Sequence, residues 1–227
     1  MNQTIVISLG GSIIVPKEID TKYLTKFRRI VLQRIRYHER AVIVTGGGAT
    51  SRNYYNAAKA VATFSADDLD RVGIAATRLN AELVRSQFGR LAHQDIIINP
   101  IERLRITRPI VVAAGWKPGR STDYVAVLLA KNMGARAIIN VTNIDYVYTA
   151  NPKKYHNAKP LPDLTWSEYL KLVPKRWSPR LSSPFDPVAS RLAKKLGITV
   201  MVVNANNIVN LNKAISGKSF QGTIIHP

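Results

Sequence analysis

Cysteine is absent from this 227-residue chain. Disulfides and cysteine-ligated metals are therefore excluded, and a reducing compartment, the cytoplasm, is the expectation. Long hydrophobic runs are also missing. None reaches the ~18 residues of a membrane span, and Met1 to Val15 reads as a first strand and glycine loop rather than a signal peptide. Acidic residues are scarce, 14 against 33 Lys and Arg, for a net charge of +19. Such a field attracts anionic substrates and polyanions, and speaks to association rather than fold. Two readings of it stay open, a basic surface as such or nucleic-acid binding. The basic residues are spread widely, densest from Lys17 to Arg40, and no signature of the usual RNA-binding modules occurs. No G-x-x-x-x-G-K-[ST] segment occurs either, which excludes a P-loop enzyme.

An apolar fraction of 46% can supply a full core. Strand-like runs alternate with helical ones. Thr4–Leu9, Ala41–Thr45, Ile96–Ile98, Pro109–Ala113, Ala137–Thr142, Ile198–Val203 and Gly222–His226 read as strands. Helical spacing covers Tyr23 to Arg36, Ser51 to Thr63, Asp67 to Phe88 and Asp123 to Met133, and a helix closes over Arg191–Lys195. Continuous apolar strands separated by helices imply an α/β fold with a mostly parallel sheet covered on both faces. The span 151–187 holds more than half of the 12 prolines and reads as loop-rich, a lid or an oligomer contact.

Three glycine-bearing loops follow strands directly: Gly10-Gly11-Ser12, Gly46-Gly47-Gly48, and the stretch from Ala114 to Asp123. Glycine lets backbone N–H groups crowd around phosphate oxygens, and a helix start behind the loop adds a positive end. In an open α/β sheet, ligands sit beyond the carboxyl ends of the strands, where all three loops belong. Any one of them alone reads equally well as a tight strand-to-helix turn.

Read in order, these segments resemble the amino acid kinase superfamily, and within it the archaeal-type UMP kinase family. The likeness covers nearly the whole chain. Ile7–Ser12 is similar to the opening nucleotide loop, and Val44–Arg52 to V-x-G-G-G-x-x-A-R with Ser51 in place of Ala. The string from Leu69 to Ala81 is the most specific piece, and Thr77-Arg78-Leu79-Asn80-Ala81 within it is hard to explain as chance. Pro118–Asp123 resembles the substrate loop, Val141–Tyr148 the adenine-side segment, and Asp186-Pro187-Val188-Ala189 the D-P-L-A motif.

The resemblance implies a single three-layer α/β/α sandwich of about eight strands that transfers the γ-phosphate of ATP to UMP. By that likeness, Gly47 and the loop Ala114, Gly115, Trp116, Lys117, Pro118, Gly119 and Arg120 hold UMP, with Asp70 on the ribose hydroxyls. Ser8, Leu9, Gly10, Gly11, Ser12, Gly48 and Arg52 face the ATP phosphates. Thr142, Asn143, Tyr148 and Asn151 line the adenosine side. Arg52, Arg120, Asp123 and Asp186 form the catalytic set, with Mg²⁺ carried by ATP. The family also implies a homohexamer built as a trimer of dimers, located in the cytoplasm.

Several positions depart from the family pattern. Ser8 stands where many members have lysine. Ser182, Ser183 and Pro184 stand where a second lysine is usual. Asn151 replaces an Asp, and Arg120 replaces His or Gln. A cation must still face the transferred phosphoryl group, and Arg52, Lys117 and Arg120 are the candidates. Two other readings remain: another small-molecule kinase of the superfamily, or a non-catalytic nucleotide- or RNA-binding protein. Isopentenyl phosphate kinase is the nearest rival acceptor type, but its phosphate-binding histidine has no counterpart. His38, His93, His156 and His226 all lie away from the glycine loops.

Overall fold

The structure, a computed structural model, describes residues 4–35, 39–103, 105–175 and 183–227. Arg36, His38 and Ser182 lie outside the described residues. In chain order the elements are β1 (Thr4–Leu9), α1 (Gly11–Ile14), α2 (Thr21–Ile35), β2 (Arg40–Thr45), α3 (Gly48–Val61) and α4 (Ala66–Ser86). After a short 3₁₀ turn come β3 (Ile110–Ala113), α5 (Thr122–Asn132), β4 (Ala137–Thr142), β5 (Val147–Tyr148), β6 (Pro160–Leu161) and β7 (Asp163–Thr165). The chain ends with α6 (Trp166–Leu172), α7 (Pro187–Leu196), β8 (Thr199–Asn204), α8 (Ile208–Ile215) and β9 (Thr223–His226).

Seven strands form one sheet in the order β3-β2-β1-β4-β8-β9-β7, and β5 and β6 form a separate pair. All neighbours in the large sheet run parallel except β8 and β9. Side chains alternate along each strand, so each strand feeds two cores. Ile7, Leu9, Ile43, Ile139 and Val141 face Phe27, Val31, Ala81 and Leu211 of α2, α4 and α8. Val6, Val42, Val44, Ile138 and Val200 face Val125, Leu129, Trp166, Tyr169 and Ala193 of α5, α6 and α7. Burial on both sides explains why these strands read as unbroken apolar runs. The result is the three-layer α/β/α arrangement.

Two expectations need correction. Ile96–Ile98 is not a strand; only Ile97 bridges Ala113. Pro100, two residues beyond Ile98, has no N–H to extend a ladder. The span 151–187 is less irregular than its prolines suggest, since it carries β6, β7 and α6. The start of α6 has a full capping box, Thr165 with Glu168. Trp166 and Tyr169 are fully buried, and the indole Nε1–H donates to Ile198 O at 2.9 Å.

Candidate active site

β3, β2, β1 and β4 are adjacent, and each ends at the same edge of the sheet. The three glycine loops and Asn143 therefore converge. The first two loops pack backbone against backbone. Gly10 N–H donates to Val141 O and Gly46 N–H to Leu9 O, both at 3.0 Å, and Ala49 N–H donates to Val15 O at 2.8 Å. Helices α1 and α3 begin at Gly10 and Gly47 with no side-chain cap. By contrast α4, α5, α6, α7 and α8 are capped by Ser65, Ser121, Thr165, Asp186 and Asn207. The uncapped starts leave first-turn N–H groups for an anion.

The Thr77–Ala81 motif acts as a bracket between loops. Asn80 Nδ2 donates to Gly46 O at 2.8 Å and Gly47 O at 3.1 Å. Thr77 Oγ1 accepts the Gly115 N–H at 2.8 Å, and Arg78 Nη2 donates to Trp116 O at 3.3 Å. Thr45 Oγ1 closes the set on Thr77 O at 3.0 Å. One helix thus fixes the second loop relative to the third, which is why so specific a string of residues occurs mid-helix.

Between these loops lies a cleft of ≈ 590 Å³, in the range of small-molecule sites. Of the sequence-predicted residues, Ser12, Gly47, Gly48, Arg52, Asp70, Gly115, Arg120, Asn143, Asp123 and Asp186 line it. Sequence reasoning missed Tyr55, Leu69, Gly73, Ile74, Ser121 and Thr122 as walls. Ser121 and Thr122 belong to the quoted substrate loop, so their signal was present. Leu69, Gly73 and Ile74 lie on α4 within the quoted Leu69–Ala81 string, and Tyr55 projects from α3, where nothing in its type marks it.

Other expected residues stand elsewhere. The side chains of Leu9 and Ala114 are fully buried in the core, so neither can touch a ligand through its side chain. Gly10 and Gly11 lie behind the cleft as packing backbone. Lys117 Nζ sits over the Trp116 ring, 4.0 Å from its centroid, away from the cleft walls. Pro118 and Thr142 are not among those walls, and Gly119 meets the site through its backbone N–H and carbonyl. Tyr148 lines a separate cleft of ≈ 200 Å³ with Asp145, Tyr146 and Asn204. Asn151 is exposed, and its side-chain oxygen accepts the Lys153 N–H at 3.0 Å.

The floor holds two carboxylates. Asp123 sits in the first turn of α5, and Asp186 caps α7 by accepting the Ala189 N–H at 2.6 Å. Ser8 Oγ donates to Asp123 Oδ1 at 3.0 Å, and Asp186 N–H donates to Asp123 Oδ2 at 3.1 Å. The segment leading to Asp186 is pinned twice, by Tyr169 O–H on Phe185 O at 2.8 Å and by Asn140 Nδ2 on Pro184 O at 2.6 Å. Burial, and then the nearby Asp186 charge, push the Asp123 carboxyl up to about 6, against the Ser8 and Asp186 hydrogen bonds. Burial also raises Asp186, with the Ala189 and Val188 amides opposing.

A raised carboxyl costs native stability once ionised. Below about pH 4 Asp123 is protonated in both folded and unfolded chains. Between there and pH 6 the folded chain binds more protons, so stability falls as pH rises, and above pH 6 the cost is constant. Asp123→Asn removes the penalty. The variant should gain roughly 1 kcal/mol on wild type between pH 4 and pH 7, discounted for the site's contact with water. Urea unfolding at both pH values checks this, and a pH-independent difference contradicts it.

At the far end of the cleft, Asp70 Oδ2 accepts the Gly119 N–H at 2.7 Å and so ties α4 to the third loop. Burial raises its pKa; the Gly119 bond opposes and Asp67 adds to the rise. Arg120 stacks on Tyr124 with its guanidinium 4.9 Å from the ring centroid, and Nη1 donates to Gly119 O at 3.0 Å. Arg52 is tied to Pro16 O through Nη2 at 2.8 Å. Two glycine loops, two cations and two floor carboxylates thus border one cleft, a set of groups with the chemistry to hold phosphate.

The model of the amino acid kinase family matches residues 3–204. The chain belongs to the amino acid kinase family. A uridylate kinase of Methanospirillum hungatei is 35% identical over 98% of this chain and 94% of its own length. One from Thermoplasma acidophilum is 36% identical over 99% and 97%. The crystal structure of uridylate kinase from Archaeoglobus fulgidus superposes with a TM-score of 0.81 at 30% identity, covering 97% of this chain and 99% of that one.

Proposed function

We propose that this chain transfers the γ-phosphate of ATP to UMP, giving UDP and ADP. The observation that carries the reading is Asp70. One carboxylate oxygen holds the UMP-side loop through Gly119 N–H, and the other is left to accept from vicinal ribose hydroxyls. The similarity to uridylate kinases along the whole chain supports it. In the transfer, an α-phosphate oxygen of UMP attacks the γ-phosphorus. The bond from that phosphorus to the β,γ-bridging oxygen breaks, and its electron pair leaves with ADP. The attacking oxygen is already ionised near pH 7, so no general base is needed, and catalysis rests on positioning and charge. We place the reaction in the cytoplasm, where both nucleotides are found.

Magnesium fits as an ion that travels with the triphosphate. Asp186 Oδ2 is buried and has no hydrogen-bond partner among the described residues. No cluster of three or more potential metal-ligating side chains occurs among them. Asp186 would hold Mg²⁺ together with substrate phosphates, and the ion would supply positive charge against the triphosphate.

Asp70→Asn should weaken UMP binding by roughly 1–3 kcal/mol, the worth of hydrogen bonds to a charged group, and leave ATP binding unchanged. Calorimetric titration with each nucleotide checks it. Normal UMP affinity with poor ATP affinity means the two subsites are reversed.

We further propose self-association through α3 and α4. Support comes from exposed apolar side chains there: Leu79 is 62% exposed, Tyr54 65% and Val61 83%. Leu79 and Leu83 also border a surface cleft beside Ile19. Copies of a +19 chain repel, so assembly should strengthen with salt. Light scattering at low and high ionic strength should show growth in mass, which Leu79→Asp abolishes. A monomer at both salts removes the oligomer.

A further inference from the structure

The end of the sheet away from the glycine loops carries a second cleft, also ≈ 590 Å³. It lies between the start of β2, the loop before β3 and the end of α5. None of its walls belongs to the first cleft. At about 3.3 Å per residue, Arg40 lies roughly 17 Å down β2 from Thr45.

Arg40 and Arg103 both line this cleft, and neither forms an ion pair among the described residues. Arg40 Nε is buried and has no hydrogen-bond partner among them. Of the carboxylates here, Glu102 itself lines the cleft. Glu39 pairs with Arg34, and Glu102 accepts from Asn99 Nδ2 at 2.5 Å. Neutralising helix-end carbonyls is the ordinary work for cations at this pole. Here α5 closes itself. Gly134, with φ +67, lets Ala135 N–H reach Ala130 O at 2.8 Å and Gly134 N–H reach Lys131 O at 3.2 Å, while Met133 N–H donates to Leu129 O at 2.9 Å. Asn132 Nδ2 is spent on Pro100 O at 2.5 Å.

A partly buried guanidinium without an ion pair among the described residues is unfavourable until an anion arrives, and its fork of donors matches phosphate. Ile101, Ile106 and Met133 add an apolar wall. We propose that this cleft is a second anion site, which takes a small phosphate monoester with an apolar body on Arg40 and Arg103. The site does not depend on the kinase reading of the first cleft.

Phenyl phosphate and inorganic phosphate are the probes, titrated calorimetrically into the full chain. A phenyl phosphate site should survive Arg120→Ala, and weaken at least tenfold in Arg103→Ala and in Arg40→Ala. Arg103 is a loop residue, so its variant reports even where Arg40→Ala fails to fold. Inorganic phosphate should bind more weakly than phenyl phosphate. Arg108→Ala removes the same charge from outside the cleft and should change nothing. Loss of all binding with Arg120→Ala, full binding in Arg103→Ala, equal weakening by Arg108→Ala, or inorganic phosphate binding as tightly as phenyl phosphate would each overturn the proposal.

Discussion

Arg120→Ala should lower kcat by about 10²–10³ while the KM for UMP moves by no more than about threefold, the loss expected when one preorganised charge over a developing anion is removed. Among the candidate cations, Arg52 and Arg120 both line the cleft with donors to spare, and Arg120 adjoins the loop amide that Asp70 holds. Lys117 lies on the Trp116 ring outside the cleft walls, and Arg52 spends one donor, Nη2, on Pro16 O. Arg120 lines the cleft, and only Nη1 is engaged by a hydrogen bond, to Gly119 O; stacking on Tyr124 holds the guanidinium plane. Ser8 leaves β1 without the lysine common in the superfamily, and its hydroxyl orients Asp123 instead. The positive charge therefore has to come from another strand end. Arg120→Lys, which keeps charge and loses the fork, should recover part of the rate. Steady-state kinetics on the three proteins decides it, and an unchanged kcat in the alanine variant removes Arg120 from the reaction.

Gly11→Ala should cost about 3 kcal/mol of stability, the upper end for overpacking. A loss of that size lowers Tm by roughly 6–12 °C in a chain of this size. An added Cβ would lie 2.1 Å from Gly48 N and 2.5 Å from Gly46 C. Both are backbone atoms of the second glycine loop, so no side chain can swing aside. Activity should fall further than stability, because the loop that moves is the one meant for phosphate. Gly89→Ala supplies the contrast. Its φ of +52 carries a conformational cost, but no atom lies within 4 Å of an added Cβ, so about 1 kcal/mol is the expectation. Denaturant midpoints for the two variants should differ clearly. Equal midpoints mean that the interlock of the glycine loops is not rigid.

The same glycines show what was legible in the sequence and what was not. β1, β2 and β4 were plain because strands buried on both faces must be continuously apolar. The glycine loops were legible as turns at the carboxyl ends of strands. Their packing on each other was not, since it joins residues distant in sequence. Thr77, Arg78 and Asn80 stood out by identity, yet their partners Gly115, Trp116 and Gly46 follow only from the order of strands. Helix α6 hid among prolines although its Thr165–Glu168 capping box was there to read. Helix α8 is short and interrupted by Asn210 and Asn212, which dilute its periodicity, and Asn210 is spent on Gln221. Leu9 and Ala114 were taken into the site through the family likeness, whereas their side chains are buried in the core.

The central claim is phosphoryl transfer to UMP in the cleft between the glycine loops. Phosphorus NMR of the protein with ATP, Mg²⁺ and an equimolar mixture of UMP, CMP, isopentenyl phosphate and glutamate tests it most directly. The account predicts that UDP and ADP appear together in equal amounts and ahead of any other product. Phosphorylation of another acceptor while UMP stays intact, or no transfer at all, would contradict it.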